Sequence, residues 1–372
     1  MDNDTILKMD TLSDIDKQRL AFTGLEVDMK HRAGSFFQKD QDIGQITSNA
    51  QGVEVLSFSN ALEKHPWISD YIWRLVSKDK DKFTTFLATQ TEPKGFVIIA
   101  RKGSKMVYPI QACMLMADSP VQHVHNIIIA EEGAELHVIS GCTSGAERKS
   151  GTHIGVTEIY VGVGAKVTST MIHNWGENIA VFPRSATVVE ENGTFLSNYV
   201  CMQPVRKIQM APVCHLNGEN AVGRFSSVVV SGPGSFLDLG STAILNAKGT
   251  SAELITRAIT TGGTIISRGR VDGVVAGTKA HIECKGLILK DGTIHAIPEI
   301  KGDVVDTELS HEAAVGKIAK EEIEYLMARG LDEAQATATI IRGFLDVKID
   351  GLPAVLQEQI DAAIDKADSS GF

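Results

Sequence analysis

The sequence predicts an all-β core, a parallel β-helix, with helical regions at both ends. Turn glycines recur at a regular spacing. The runs between them have the period of strands, not helices. Helical periodicity is confined to the two ends of the chain. Gly133, Gly164 and Gly193 are 31 and 29 residues apart, and Gly218, Gly234, Gly249, Gly263, Gly277 and Gly292 follow at 16, 15, 14, 14 and 15. A spacing near 15, with 30 as its double, reads as one strand plus one turn, two of which make a coil of a flattened solenoid. Glycine supplies positive φ at such corners without steric cost. A β-sandwich also has short strands and glycine turns, but regular spacing over six successive turns favours the solenoid.

In chain order, residues 1–82 read as a polar, helical N-terminal region. Ile68, Tyr71, Ile72, Leu75 and Val76 recur on one face of a helix. Pro66 suits its first turn, and the run Lys78-Asp79-Lys80-Asp81-Lys82 ends it. Residues 83–305 read as the β-helix core, with strands such as Gly95-Phe96-Val97-Ile98-Ile99-Ala100 and Ile127-Ile128-Ile129-Ala130. Residues 306–372 read as a C-terminal helical domain that caps the solenoid or binds a partner. Its apolar stripes are Ile323, Leu326 and Met327, then Ile340, Ile341, Phe344 and Leu345, then a third from Leu352 to Ile364. Gly330 suits a helix C-terminus, and Asp332 with Gln335 resembles a capping box.

Composition excludes several function classes. The chain carries a net charge of −10, and residues 308–372 alone hold 13 acidic against 6 basic groups. No basic stripe offers a nucleic-acid footprint or an anionic-membrane contact. There is no apolar run long enough to cross a bilayer and no apolar core in the N-terminal segment to make it a secretory signal. The five cysteines are scattered, without a C-x-x-C pair, which suits a reducing, cytoplasmic setting. No G-x-x-x-x-G-K-[ST] motif occurs, so ATP hydrolysis is not expected of this chain, and no flavin motif is visible.

The chemistry-bearing feature is His281-Ile282-Glu283-Cys284, followed 27 residues after the cysteine by His311-Glu312, at the expected start of the helical tail. A thiolate with imidazole and carboxylate suits iron or an iron–sulfur cluster. Spacing alone also fits a buried small residue at Cys284 and a solvated helix start at His311-Glu312. His281 is expected to face the same side as Cys284 and to support it. His311 and Glu312 are adjacent, so on a strand they would face opposite sides, and only one would bind at a time. His123 and His125 share a strand face and read as core or surface groups. Cys113, Cys201 and Cys214 read as core.

Ordered motifs then resemble one family. These are Val107-Tyr108-Pro109-Ile110-Gln111-Ala112, Ile139-Ser140-Gly141-Cys142-Thr143, His173-Asn174-Trp175, the strand from Ala280 to Leu289 around Cys284, Gly292-Thr293-Ile294-His295-Ala296-Ile297-Pro298-Glu299, Ser310-His311-Glu312-Ala313-Ala314-Val315-Gly316-Lys317-Ile318, and Tyr325-Leu326-Met327-Ala328-Arg329-Gly330-Leu331 with Ile341-Arg342-Gly343-Phe344. Over about residues 90–350 the chain resembles the SufB/SufD scaffolds of iron–sulfur cluster assembly. The resemblance implies a right-handed parallel β-helix, pairing of two such chains, and a SufC-type ABC ATPase bound through the C-terminal helices. It implies a nascent iron–sulfur cluster held at the pair's interface, with Cys284 and either Glu312 or His311 as ligands. It implies Cys142 as the sulfur acceptor, although Thr-Ser-Gly follows it where the family usually has Thr-Ala-Pro. The Cys-rich N-terminal motif of bacterial B-type chains is missing.

A scaffold must release its cluster, and ligation weaker than four thiolates suits release. A twofold axis near Cys284 would bring the ligands to about four. The expected function is therefore a scaffold, not an enzyme, acting as a homodimer with the ATPase, a sulfur donor and acceptor apoproteins. The homodimer follows from B-type features (Cys142, Cys284, Glu312) and the D-type His311 in one chain. Alternatives are one half of a SufB–SufD-type heterodimer, a β-helix enzyme acting on polysaccharide, or a purely structural solenoid. The enzyme would need clustered Asp or Arg on one exposed face, which the repeat does not show.

Overall fold

The computed structural model describes residues 12–25 and 32–345. Two ten-stranded sheets wind into a parallel β-solenoid of about eight turns, with a few helices at its ends. The repeat read from glycine spacing is the register of the ladders. Ile110 pairs with Val138 and Val138 with Ser169 in one sheet, and Ile98 with Ile128 and Ile128 with Ile159 in the other. Parallel partners share a face, so each inward residue stacks on its counterparts one coil away. The inner faces bury a continuous core, including Ile110, Val138, Val167, Phe195, Leu254 and Ile282.

The ladder glycines serve two different ends. Gly133, Gly164, Gly234, Gly249 and Gly277 have positive φ, as corners require. Gly218 does not; there a Cβ would fall 1.8 Å from the backbone N of Glu191, so the need is close approach of two coils.

The structure departs from the sequence reading at both ends. Within residues 12–82, Gly34–Lys39 and Asp42–Ser48 form an antiparallel pair, and Val53–Ser57 pairs antiparallel with Phe96–Ala100. Among the described residues the helices here are short, at Asp14–Ala21, Phe58–Lys64 and Pro66–Tyr71, with another at Lys82–Ala88. The expected helical face around Ile68 stops at Tyr71 because of Glu158. This fully buried carboxylate accepts the backbone N–H of Trp73 at 2.7 Å, Leu75 at 2.6 Å and Val76 at 3.2 Å, and contacts His125 Nε2 at 2.8 Å. Those donors are taken from any helical ladder. Ile68 and Val76 are buried all the same.

At the other end the solenoid runs past residue 305. Thr307–Gly316, expected to open a helical tail, is the last strand of its sheet and pairs with Thr278–Ile288. Ladder bonds to a strand 29 residues back override local helical preference. Helices follow at Lys320–Met327 and Glu333–Leu345. The second lays Ile341 and Leu345 on the outer sheet face, against Ile139, Ile172, Val200, Val228, Ile259 and Leu287. Each such aliphatic side chain contributes about 1.5–3 kcal/mol by burial. The stripe expected from Leu352 to Ile364 lies outside the described residues.

Candidate functional site

Strand Thr278–Ile288 alternates strictly over its middle. Ala280, Ile282, Cys284 and Gly286 are buried and face the interior, while His281, Glu283 and Lys285 face out. Cys284 is 2 % exposed. Ser267 Oγ, on the opposite sheet, lies 3.6 Å from its Sγ. Burial pushes the thiol up from its ordinary value, and the Ser267 contact only partly offsets this. The pairing Ile282 with His311, Glu283 with Glu312 and Cys284 with Ala313 then sorts the neighbouring strand. By register His311 falls on the side of Cys284, diagonal to it, though at the open end of the solenoid it is exposed, and Glu312 falls on the outer face.

The residues singled out from sequence are thus divided by the sheet. Cys284 and His311 share one side of the final coil. His281 does not support Cys284 from the same face; three residues separate them, and an odd separation puts them on opposite sides. His281 stands instead with Glu283 and Glu312, their ligand atoms all within 4.8 Å of one another. Lys285 Nζ lies 3.2 Å from Oε1 of both Glu283 and Glu312, and Arg257 pairs with Glu283. Burial raises the Glu283 carboxyl, but Arg257 and Lys285 outweigh it and hold it below the usual range. Glu283 lies within the segment singled out from sequence but was given no ligand role there, and Lys285 was given none either. The signal was present: Glu283 is two residues from His281 and one coil before Glu312.

Cys142 lies in strand Glu135–Ser144, facing inward and 2 % exposed. Helix Asp14–Ala21 and the residues after it close over this strand from outside, so that a Cβ at Gly141 would fall 2.2 Å from Thr23 Oγ1. Arg19 fastens the helix through Nε to the Ser144 carbonyl at 2.6 Å. Inside, Cys142 registers against His173, and His173 Nδ1 lies 2.9 Å from Tyr199 Oη. Tyr199 is in register with Ser227, Ser227 with Thr256, and Thr256 with Cys284. Polar side chains thus recur in register from the coil of Cys142 to that of Cys284, buried at His173 and Tyr199 and half-buried at Ser227 and Thr256.

Burial keeps the titratable groups here uncharged. It lowers His173, and His153 on the opposite sheet, to about 3, raises Cys142 far above the ordinary thiol range, and raises Tyr199 well above the usual phenol range. Among the other cysteines, Cys201 and Cys214 belong to the same core and Cys113 lies under the N-terminal helix; all five are free and buried. His125 is buried on Glu158, and half-buried His123 contacts Gln41 Nε2 at 3.2 Å through Nδ1. Among the described residues no helix is long and apolar enough to cross a membrane.

Comparison with known proteins fits this arrangement. Residues 113–344 match the family model described as SUF system FeS cluster assembly, SufBD core domain. The chain is 45% identical to an iron–sulfur cluster assembly SufBD family protein of Archaeoglobus fulgidus, over 95% of both chains. It is 42% identical to a SufBD family protein of Methanothermobacter thermautotrophicus strain Winter, over 94% of this chain and 87% of that one. It is 31% identical to the iron–sulfur cluster assembly protein SufB of Bacillus subtilis, over 88% of this chain and 72% of that one. The matched segment contains Cys142, Cys284, His311 and Glu312. The chain therefore belongs to the SufBD family of iron–sulfur cluster assembly proteins.

Proposed function

We propose that this chain is a cytoplasmic scaffold on which an iron–sulfur cluster is built, at the paired C-terminal coils of two copies. The observation that carries the reading is that Cys284 and His311 share one face of the final coil, whose last strand has no further strand beside it among the described residues. An unpaired strand edge invites pairing, and a second copy would cover it and duplicate both ligands. Of the two adjacent candidates, His311 is the one on the face of Cys284, and we assign it to the cluster. Glu312 belongs to the other side of the sheet. Family membership speaks against a polysaccharide-acting enzyme.

Cys142 is the proposed sulfur acceptor, and the polar row from His173 through Tyr199 to Thr256 supports a link between it and Cys284. The buried thiols are protonated at neutral pH, and the thiolate is the form that takes sulfur and binds iron. Cys142 and Cys284 are each 2 % exposed, so on this reading sulfur and iron reach them when the coils around them part. We assign that work to a SufC-type ATPase bound at the C-terminal helices, since the chain has no P-loop of its own. Of Leu326, Met327, Ile341 and Phe344, the apolar positions expected to meet the ATPase, Ile341 and Phe344 pack on the solenoid and Leu326 is half-buried, whereas Met327 is exposed, as is its neighbour Tyr325. The docking surface is thus the first of the two helices.

Anaerobic reconstitution with ferrous iron and sulfide, read by Mössbauer spectroscopy and light scattering, tests the reading. The expected product is a cluster held by a two-chain species. A chain that stays monomeric and binds a cluster only with a second gene product would favour the heterodimer. A stable dimer that takes up no cluster would overturn the scaffold role.

A further inference from the structure

The outer face of the last two coils carries the one group of three metal-ligating side chains found among the described residues, and it is not the thiol site. His281 and Glu283 stand two apart on one strand, and Glu312 is the register partner of Glu283. Their ligand atoms lie within 4.8 Å of one another. Ser310 Oγ lies 2.9 Å from His281 Nδ1. In the tautomer in which Nδ1–H donates to Ser310, the Nε2 lone pair is left for a cation.

The site is already arranged around a positive charge. The Lys285 ammonium lies 3.2 Å from an oxygen of each carboxylate, and Arg257 holds Glu283 from the other side. Across the row, Glu253 is the register partner of His281 and pairs with Arg224 at 3.4 Å. A shallow groove of about 440 Å³, lined by Arg224, Glu253, Lys279, His281, Glu308 and Ser310, opens the imidazole side to solvent.

We propose that His281, Glu283 and Glu312 form a mononuclear divalent-cation site of the class that binds Fe²⁺, on the outer face of the sheet whose inner face carries Cys284. One imidazole and two carboxylates are a harder donor set than any containing the thiolate, suited to ferrous or other borderline first-row ions. A divalent ion displaces the singly charged Lys285 ammonium from between the carboxylates, so Lys285 is a built-in competitor. The inference does not rest on the cluster reading, because no atom of Cys284 takes part.

Anaerobic Co²⁺ titration of the full chain, followed by absorbance and calorimetry, tests it. The expected result is one ion per chain, without thiolate-to-cobalt charge transfer. His281→Gln and Glu283→Gln should each weaken binding by about tenfold or more. Lys285→Met should strengthen it, and Cys284→Ser should leave it unchanged. If Glu283→Gln perturbs the fold through Arg257, His281→Gln, at a half-buried position without an ion pair to Arg257, still gives the answer. Loss of binding in Cys284→Ser with retention in His281→Gln would overturn the proposal. So would the lack of saturable binding in both the wild type and Lys285→Met. Failed cluster reconstitution beside intact Co²⁺ binding would count against the scaffold reading alone.

Discussion

His173 Nδ1 and Tyr199 Oη lie 2.9 Å apart inside the solenoid, between the coil of Cys142 and the column that leads to Cys284. The pair is fully enclosed, and burial lowers His173 to about 3. In the unfolded chain the same imidazole titrates near its ordinary 6.5. A group whose folded pKa is depressed contributes stability above its unfolded pKa and loses it as pH falls. His153, also lowered to about 3, behaves alike. We expect stability to fall from about pH 6.5 downward, by roughly 1.4 kcal/mol per pH unit for each of the two. Urea melts of His173→Gln between pH 7 and pH 4 should show an acid slope shallower by about one such group, the remainder coming from His153, from His137, lowered to about 4, and from depressed carboxylates such as Glu54. An unchanged slope would mean that His173 is solvated.

The thiols give the opposite limb. Burial raises Cys113 and Cys201 from 9.0 to about 12. Raised groups contribute stability below their unfolded pKa and lose it as pH rises toward the folded value. Alkaline melts should decline from about pH 9, by roughly 1.4 kcal/mol per pH unit per thiol. Cys201→Ala should flatten that decline without altering the acid one.

Glu158 is the anchor of the segment after residue 71, and its loss should be felt locally. Glu158→Ala leaves three backbone N–H groups and His125 without their acceptor. Orphaned buried donors cost about 1–3 kcal/mol each. We expect a melting temperature several degrees lower, faster hydrogen exchange over residues 72–76, and unchanged exchange around Cys284. Glu158→Gln, which keeps an acceptor oxygen, should recover much of the loss. Equal exchange in Glu158→Ala and wild type would refute the anchoring role.

The ATPase surface proposed above is helix Lys320–Met327. Tyr325→Ala with Met327→Ala should cut co-purification of a SufC-type ATPase about tenfold, as loss of an exposed aromatic anchor does at interfaces. The solenoid's melting temperature should not move, because neither side chain packs on it. Retention of full ATPase yield would place the contact elsewhere on the chain.

The solenoid was legible because its signal is long-range and periodic: turn glycines about 15 residues apart mark corners that only small residues fit. The opposite facing of His311 and Glu312 followed from adjacency on a strand. The final strand itself was not legible, since Ser310-His311-Glu312-Ala313-Ala314 has no strong strand preference and is held by pairing one coil back. The error at His281 was one of parity. Glu158 gave no local sign at all, for a carboxylate within a strand usually marks a solvated face. The hairpin Gly34–Lys39 with Asp42–Ser48 was hidden because its partner Ile110–Met116 lies far along the chain.

The central claim is that the Cys284 thiolate is a cluster ligand. Cys284→Ser barely changes side-chain volume, while a serine hydroxyl is a poor ligand for iron in a cluster. The direct measurement is the charge-transfer absorbance of the anaerobically reconstituted variant beside wild type, at equal dimer content and melting temperature. The account predicts that the variant forms no stable chromophore while still binding Co²⁺ on its outer face. A variant that reconstitutes with full absorbance would contradict it.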